Sequence, residues 1–313
     1  MKCTFSAPNA AGSIGGTLGL RIFTATAAGK STAAKTTAAL AGLAALAATV
    51  LPASPAAAVP AAESAEPGNI VMFGDSMVAN PPELSNFGGI RLLSAGNDTC
   101  NRGEHRLATE LTATTGRVID DHSCPGATAT DSDFRKHFGE QIDRAIAAGD
   151  LNESTTHVTV LFGFNDSYKH VSSLSSDAFG RDVGQRIDDI RAHAPNARLM
   201  ILTYPTLTDG SGNACFIHSN ALAPFGEAGE LRTPLPALVF AEDSIHTAQR
   251  ETAESKGAEF VDIREATRGH GLCAPDPERY VSGYIDDQQE YYTASHLTHT
   301  GVREVAKIIA ERF

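Results

Sequence analysis

Several familiar chemical signatures are missing from this 313-residue chain. There is no Gly-x-Ser-x-Gly turn, which argues against a nucleophile-elbow hydrolase. There is no phosphate-binding P-loop and no His-Glu-x-x-His pair. No Cys-x-x-Cys occurs, and no His-Cys cluster has zinc spacing. Lysine and arginine form no cluster that would hold nucleic acid or anionic lipid. These absences leave a chain expected to need no metal or cofactor and to have no nucleic-acid partner. Internal repeats and a second linker are also lacking, which favours one domain.

The first 58 residues lack any acidic side chain but contain Lys2, Arg21, Lys30 and Lys35. An alanine-leucine run from Thr37 to Leu51 follows, then Pro52, Pro55 and Ala56 to Ala58. This is the pattern of a secretory signal with cleavage expected after Ala58. The apolar run is shorter than the roughly 20 residues a membrane span needs, so no stable insertion is expected after cleavage. Residues 59–68, rich in alanine, proline and glutamate, read as a flexible lead-in, and 69–313 as the folded domain. Removing the signal leaves 21 basic and 37 acidic residues, a net charge of −16. Such a charge suits solubility outside the cell. Four cysteines remain, Cys100, Cys124, Cys215 and Cys273. Export favours pairing them. Of the three possible pairings, the sequence-local Cys100–Cys124 and Cys215–Cys273 are favoured.

Five short apolar runs read as strands: 69–73, 118–120, 158–162, 199–203 and 259–263. Between them, helical spacing of apolar residues predicts helices over 102–115, 131–148, 177–193 and 237–256, with a closing helix over 299–313. Thr130 and Asp131 are cap candidates for the second of these, and Pro195 ends the third. Residues 80–98, 205–232 and 268–295 read as long excursions. Strands alternating with helices imply right-handed crossovers and a mainly parallel five-stranded sheet covered on both faces, a three-layer α/β/α sandwich. Ligands bind such sheets beyond the carboxyl ends of the strands.

Three strand ends carry short polar segments: Gly74-Asp75-Ser76, Cys124-Pro125-Gly126 and Gly163-Phe164-Asn165-Asp166. A fourth, His296-Leu297-Thr298-His299-Thr300-Gly301, opens the closing helix. Each has a simpler reading as a turn or cap, since turns favour Gly, Asn, Asp and Ser. Chemically, a serine hydroxyl needs an adjacent base. A histidine can serve as base and then as acid near neutral pH. The backbone at Gly126 and the Asn165 amide could stabilise an oxyanion. Asp166 could cap the segment after it. His122, near Gly126, is the second candidate base.

Taken in order, the four segments resemble the SGNH hydrolase family, also called GDSL esterases and lipases. Val71-Met-Phe-Gly-Asp-Ser76 looks like the first block, Gly126 the second-block glycine, Asn165 the third-block asparagine and His296 the last-block histidine. The resemblance implies a flavodoxin-like sandwich, a Ser76 nucleophile, a His296 base, and an oxyanion hole of the Ser76 amide, Gly126 and Asn165. Cys100 and the segment Ser123-Cys-Pro-Gly-Ala127 also resemble the first disulfide of secreted actinobacterial members, which usually have three such bonds. The family commonly places an aspartate three residues before the histidine; here that position is Thr293. The backbone carbonyl of Thr293 is therefore expected to orient His296, with Asp286 or Asp287 as alternatives. The implied activity is hydrolysis of small-molecule or lipid carboxylic esters. An acyltransferase, a carbohydrate deacetylase and a non-catalytic binding domain are the alternatives. Phe87, Phe216, Leu222 and Phe225 are candidates for lining an acyl pocket.

Overall fold

A computed structural model describes residues 68–81, 100–130, 137–169, 176–220, 230–289 and 293–313. All of them belong to the compact unit Ala62–Phe313. The five expected strands form one parallel sheet: β1 (Ile70–Gly74), β2 (Ile119–Asp121), β3 (His157–Leu161), β4 (Arg198–Leu202) and β7 (Glu259–Val261). Their order across the sheet is β2-β1-β3-β4-β7. β1 lies between β2 and β3, with Val71 opposite Val158 and Asp120. The order reverses beside β1, so its carboxyl end opens onto the crevice where sheets of this kind bind ligands.

Strand residues point alternately to opposite faces. Val71, Phe73, Val158, Val160, Leu199 and Ile201 join one buried cluster. Met72, Met200 and Leu202 join the other. The first face is covered by α3 (Phe138–Ala148), α5 (Ser176–His193) and α6 (Pro236–Lys256), through Phe138, Ile142, Phe179, Val183, Ile187 and Ala248. The second is covered by α2 (Leu107–Thr115) and α8 (His299–Ala310), through Leu107, Leu111, Val302, Val305 and Ile309. Two shorter helices, α1 (Ser76–Ala79) and α4 (Phe164–Lys169), follow β1 and β3, and α7 (Ile263–Ala266) follows β7.

Several boundaries differ from the sequence reading. α2 starts at Leu107 rather than Arg102, and α8 ends at Ala310. The N-cap of α3 is His137, whose ring accepts the Glu140 N–H. Thr130 is not that cap: its backbone N–H and hydroxyl both bond to the Asp166 carboxylate. Asp131 lies outside the described residues.

The excursions hold a second sheet that strand patterning did not reveal. β5 (Asn213–His218) pairs antiparallel with β6 (Glu230–Pro234) and parallel with β8 (Ile285–Asp286). Leu207, Ala214, Leu272 and Val281 make its small core. Cys215 and Cys273 are bonded there, and Cys100 and Cys124 are bonded beside β1, so both expected disulfides form.

Candidate active site

Ser76 is the first residue of α1, directly beyond β1. Asp75 is its N-cap and accepts the Met77 N–H at 2.9 Å. The turn is tight: a Cβ at Gly74 would collide with the Val78 side chain. The Gly74 peptide is gripped from α3, where the Gln141 amide accepts its N–H at 3.0 Å and donates to its carbonyl at 2.8 Å. The first turn of a helix has N–H groups with no intrahelical acceptor, and the Ser76 amide is one of them.

Gly126 occupies a turn closed by the Ala127 N–H donating to the Cys124 carbonyl at 3.1 Å. Its φ of +78° suits a residue without a side chain. The turn is anchored twice, by the Cys100–Cys124 bond and by the Cys124 N–H donating to the Gly74 carbonyl at 3.0 Å. Asn165, at the start of α4, donates from Nδ2 to the Ala127 carbonyl at 2.8 Å and to Asp75 Oδ2 at 3.2 Å. Asp166 lies within the first turn of α4, and its carboxylate is turned away from the role of cap. It reaches back to the N–H groups of Ala129 and Thr130, holding the strand-end loop beside Gly126. Burial raises its pKa in spite of those donors.

His296 arrives from the other side of the molecule's sequence. Its segment is pinned to the second sheet's core: Val281 bridges Leu297, the Ser282 N–H donates to the His296 carbonyl, and the Ser295 N–H donates to the Ser282 carbonyl. It is also tied to α1, because Asn80 donates to the carbonyls of His105 and Leu297. Thr298 caps α8 by accepting the Gly301 N–H, and a Cβ at Gly301 would run into the Tyr280 backbone.

His296 Nδ1 lies 2.7 Å from a backbone carbonyl, which makes Nδ1 the protonated nitrogen and leaves Nε2 as an acceptor. That carbonyl belongs to Ala294. The expected partner, Thr293, is corrected by one position. Its carbonyl instead accepts the His296 backbone N–H at 3.0 Å and the Ser282 hydroxyl at 2.7 Å. The cause is a bend at Ser295, whose φ of +59° turns the Ala294 carbonyl toward the ring. The two aspartates considered for this role are engaged elsewhere. Asp286 pairs with Arg279 and accepts the Gly283 N–H; Asp287 accepts from Ser219 and Asn220.

A cavity of about 330 Å³ has Ser76, Asn165 and His296 in its wall, with Asp75, Phe164, Tyr204, Leu207, Phe216, Leu238, Leu272, Tyr284 and Ala294 among the others. Gly126 is beside this wall rather than in it, one residue from the Ala127 carbonyl that Asn165 holds. Phe216 lines the cavity as expected, whereas Phe87, Leu222 and Phe225 lie outside the described residues. His122 is not in the wall. It bonds to Asp150 at 2.9 Å, and burial lowers its pKa despite that carboxylate.

Sequence reasoning missed Tyr204 and Gln141. Tyr204 follows β4 and donates its hydroxyl to Asp75 Oδ2 at 2.6 Å. Burial, and then the Asp75 charge, push its pKa well above the ordinary phenol value. Its place just past the carboxyl end of a strand was the one available signal. Gln141 sits on the buried face of α3, and only the tertiary approach to Gly74 reveals its role.

The curated relatives include Lipase 2 of Streptomyces coelicolor, 24% identical over 242 residues, covering 67% of this chain and 75% of the relative. An esterase of Streptomyces scabiei is 24% identical over 281 residues, covering 72% and 78%. Among solved structures, phospholipase A1 from Streptomyces albidoflavus superposes with a TM-score of 0.50 at 18% identity, covering 78% of this chain and 98% of that one. The extracellular lipase of Streptomyces rimosus gives 0.50 at 17% identity, with the same coverage. These structural likenesses speak for the fold. Residues 72–303 match the model of the GDSL-like lipase/acylhydrolase family, and the chain belongs to that family.

Proposed function

We propose that this protein is an exported serine hydrolase of small-molecule or lipid carboxylic esters. The observation that carries the reading is one wall containing Ser76 and His296, residues 220 positions apart in sequence, with the histidine's Nδ1 already committed to a carbonyl. Nε2 of His296 takes the Ser76 proton as Oγ attacks the acyl carbon. The resulting oxyanion is held by the Ser76 N–H, the Gly126 N–H and the Asn165 amide. His296 returns its proton to the leaving alcohol, and the acyl-enzyme forms. Water, deprotonated by the same imidazole, attacks that ester, and Ser76 leaves with the proton. A backbone carbonyl takes the place of the triad aspartate in fixing the tautomer. No step calls for a metal or cofactor.

The wall of Leu207, Phe216, Leu238, Leu272 and Tyr284 offers an apolar surface to the acyl chain. Residues 1–58 act as the export signal, and 59–68 precede the hydrolase domain of 69–313. The two disulfides support export, because such bonds persist in oxidising compartments.

Hydrolysis of nitrophenyl esters from acetyl to palmitoyl tests the reading. Release of nitrophenol that Ser76→Ala abolishes is the expected result. Equal rates for Ser76→Ala and the unaltered protein would overturn it. Amino-terminal sequencing of protein from the medium should begin within a residue or two of Val59.

A further inference from the structure

We propose that Tyr204 is a positioning residue that releases one hydrogen of the Asn165 amide to the oxyanion by keeping the Asp75 carboxylate satisfied. The inference rests on the ester-hydrolase reading above and concerns how its oxyanion site is switched between resting and reacting states.

An asparagine amide has two hydrogens. In Asn165 one is directed at the Ala127 carbonyl, 2.8 Å away, and the other at Asp75 Oδ2, 3.2 Å away. The second distance is long for an N–H donor, and longer still for one facing a carboxylate. The same Oδ2 has a much closer donor in the Tyr204 hydroxyl, at 2.6 Å, within the range of strong O–H to carboxylate bonds. Oδ1 of Asp75 is occupied by the Met77 N–H. Asp75, Asn165 and Tyr204 are 2%, 7% and 6% exposed, so a carboxylate oxygen losing a donor here is poorly compensated by water.

These distances separate a bond that is kept from a bond that is exchanged. As negative charge grows on the acyl oxygen beside Ser76, a small rotation of the planar Asn165 amide carries the loosely held hydrogen from Asp75 Oδ2 toward that oxygen, and the shorter bond to the Ala127 carbonyl bends with it. Asp75 Oδ2 retains the phenol. The tyrosine ring is itself held in place by an edge contact with Phe164, and its oxygen accepts the Phe164 N–H at 3.1 Å. One hydroxyl thus fixes both the carboxylate that Asn165 must leave and the backbone that presents Asn165. The high pKa of the phenol keeps it protonated, and so a donor, at neutral pH.

Tyr204→Phe preserves the ring and removes the donor. Asp75 then holds the Asn165 hydrogen more tightly in the resting state. The expected result is a kcat loss of roughly 10- to 100-fold, a fraction of what removing an oxyanion donor costs, with KM changed by less than about twofold. In an Asn165→Ala background the same substitution should cost less than about twofold more, because the hydrogen it acts on is gone. Equal losses in both backgrounds, or a fall in KM and kcat that follows the thermal midpoint, would mean that Tyr204 only supports the fold and would overturn the proposal. A measurement on the unaltered protein covers the case of a variant that does not fold. The two Asn165 amide hydrogens are followed by NMR as a fluorophosphonate reacts with Ser76. The signal of the hydrogen facing Asp75 should move much more than that of its partner on Ala127; two unmoved signals, or equal shifts of both, would overturn the proposal. Failure of the fluorophosphonate to label the unaltered protein would count against the ester-hydrolase reading itself, whereas labelling with additive losses would sink only the role of Tyr204.

Discussion

The five-stranded sheet and the three-stranded sheet beside it differ in how much of their hold comes from packing, and each contributes residues to the cavity wall. β1, β3 and β4 are almost wholly buried, and their side chains interdigitate with two helical layers. β6 exposes four of its five residues, and β8 is two residues long. Among the described residues the second sheet has a core of four buried apolar side chains, supplemented by the Cys215–Cys273 bond. It has in addition a buried cation. Arg279, 1% exposed, donates to Asp286, Asp276 and the Ala274 carbonyl and faces His218 Nδ1. Packing of β1 places Ser76, and the Gln141 amide and the Asp75 cap fix its turn. His296 is held by hydrogen bonds to Ser282 in the second region and by its neighbour Leu297, which packs in the core of the first. The two residues therefore rest on different balances of packing and hydrogen bonding, which substitutions can weight separately.

The largest expected effect starts in the second region. Arg279→Met removes the cation and leaves Asp286 buried without its partner, a change that typically costs about 3–5 kcal/mol. Because the Arg279 and Tyr280 carbonyls also hold the cap residue Thr298, kcat should fall with stability. Phe138→Ala, in the core of the first region, should cost a similar about 3–5 kcal/mol while leaving kcat of the folded fraction within a few-fold. Denaturant titration read alongside single-concentration turnover separates the two.

A smaller effect is confined to the first region. His157, at the start of β3, is nearly buried beside Arg117, and burial first and that charge second lower its pKa to about 4. The unfolded chain therefore takes up this proton before the folded one. The contribution is complete above about pH 6.5 and is lost as pH falls toward 4, amounting to about 3 kcal/mol at most. Urea midpoints measured across that window should fall with acid, and His157→Gln should flatten the slope.

The division also explains what could be read from the chain. β1, β3 and β4 were legible because burial on both faces requires nearly unbroken apolar runs such as Ile70-Val-Met-Phe73, whereas the edge strands β2 and β7, half-buried and carrying acidic residues, were legible from their alternation with helices. β5, β6 and β8 were not, because strands such as Glu-Leu-Arg-Thr-Pro have neither such a run nor a clean alternation. Ser76, Asn165 and His296 were legible from motifs at strand ends and at a helix start. The carbonyl beside His296 was misplaced by one residue, because the left-handed bend that selects Ala294 falls on Ser295, where no glycine announces it. Tyr204 was missed for another reason: its place past a strand end was its one signal, and no motif joins it to Asp75, 129 positions away.

The smallest effect sharpens the question of what orients His296. Among the described residues the Asp287 side chain bonds Ser219 and Asn220, away from His296, so kcat of Asp287→Asn should change by less than about threefold. That is far from the roughly 10⁴-fold loss that follows when a triad aspartate becomes asparagine. Asp286→Asn should lower stability through Arg279, yet kcat of the folded fraction should also stay well short of that loss.

The most direct test of the account is covalent labelling by a fluorophosphonate, with the modified peptide mapped by mass spectrometry. The account predicts an adduct on Ser76 in the unaltered protein, formed at a rate that His296→Ala lowers by on the order of 10³-fold or more and that Asp287→Asn leaves nearly unchanged. Labelling of another residue, or a rate indifferent to His296, would contradict it.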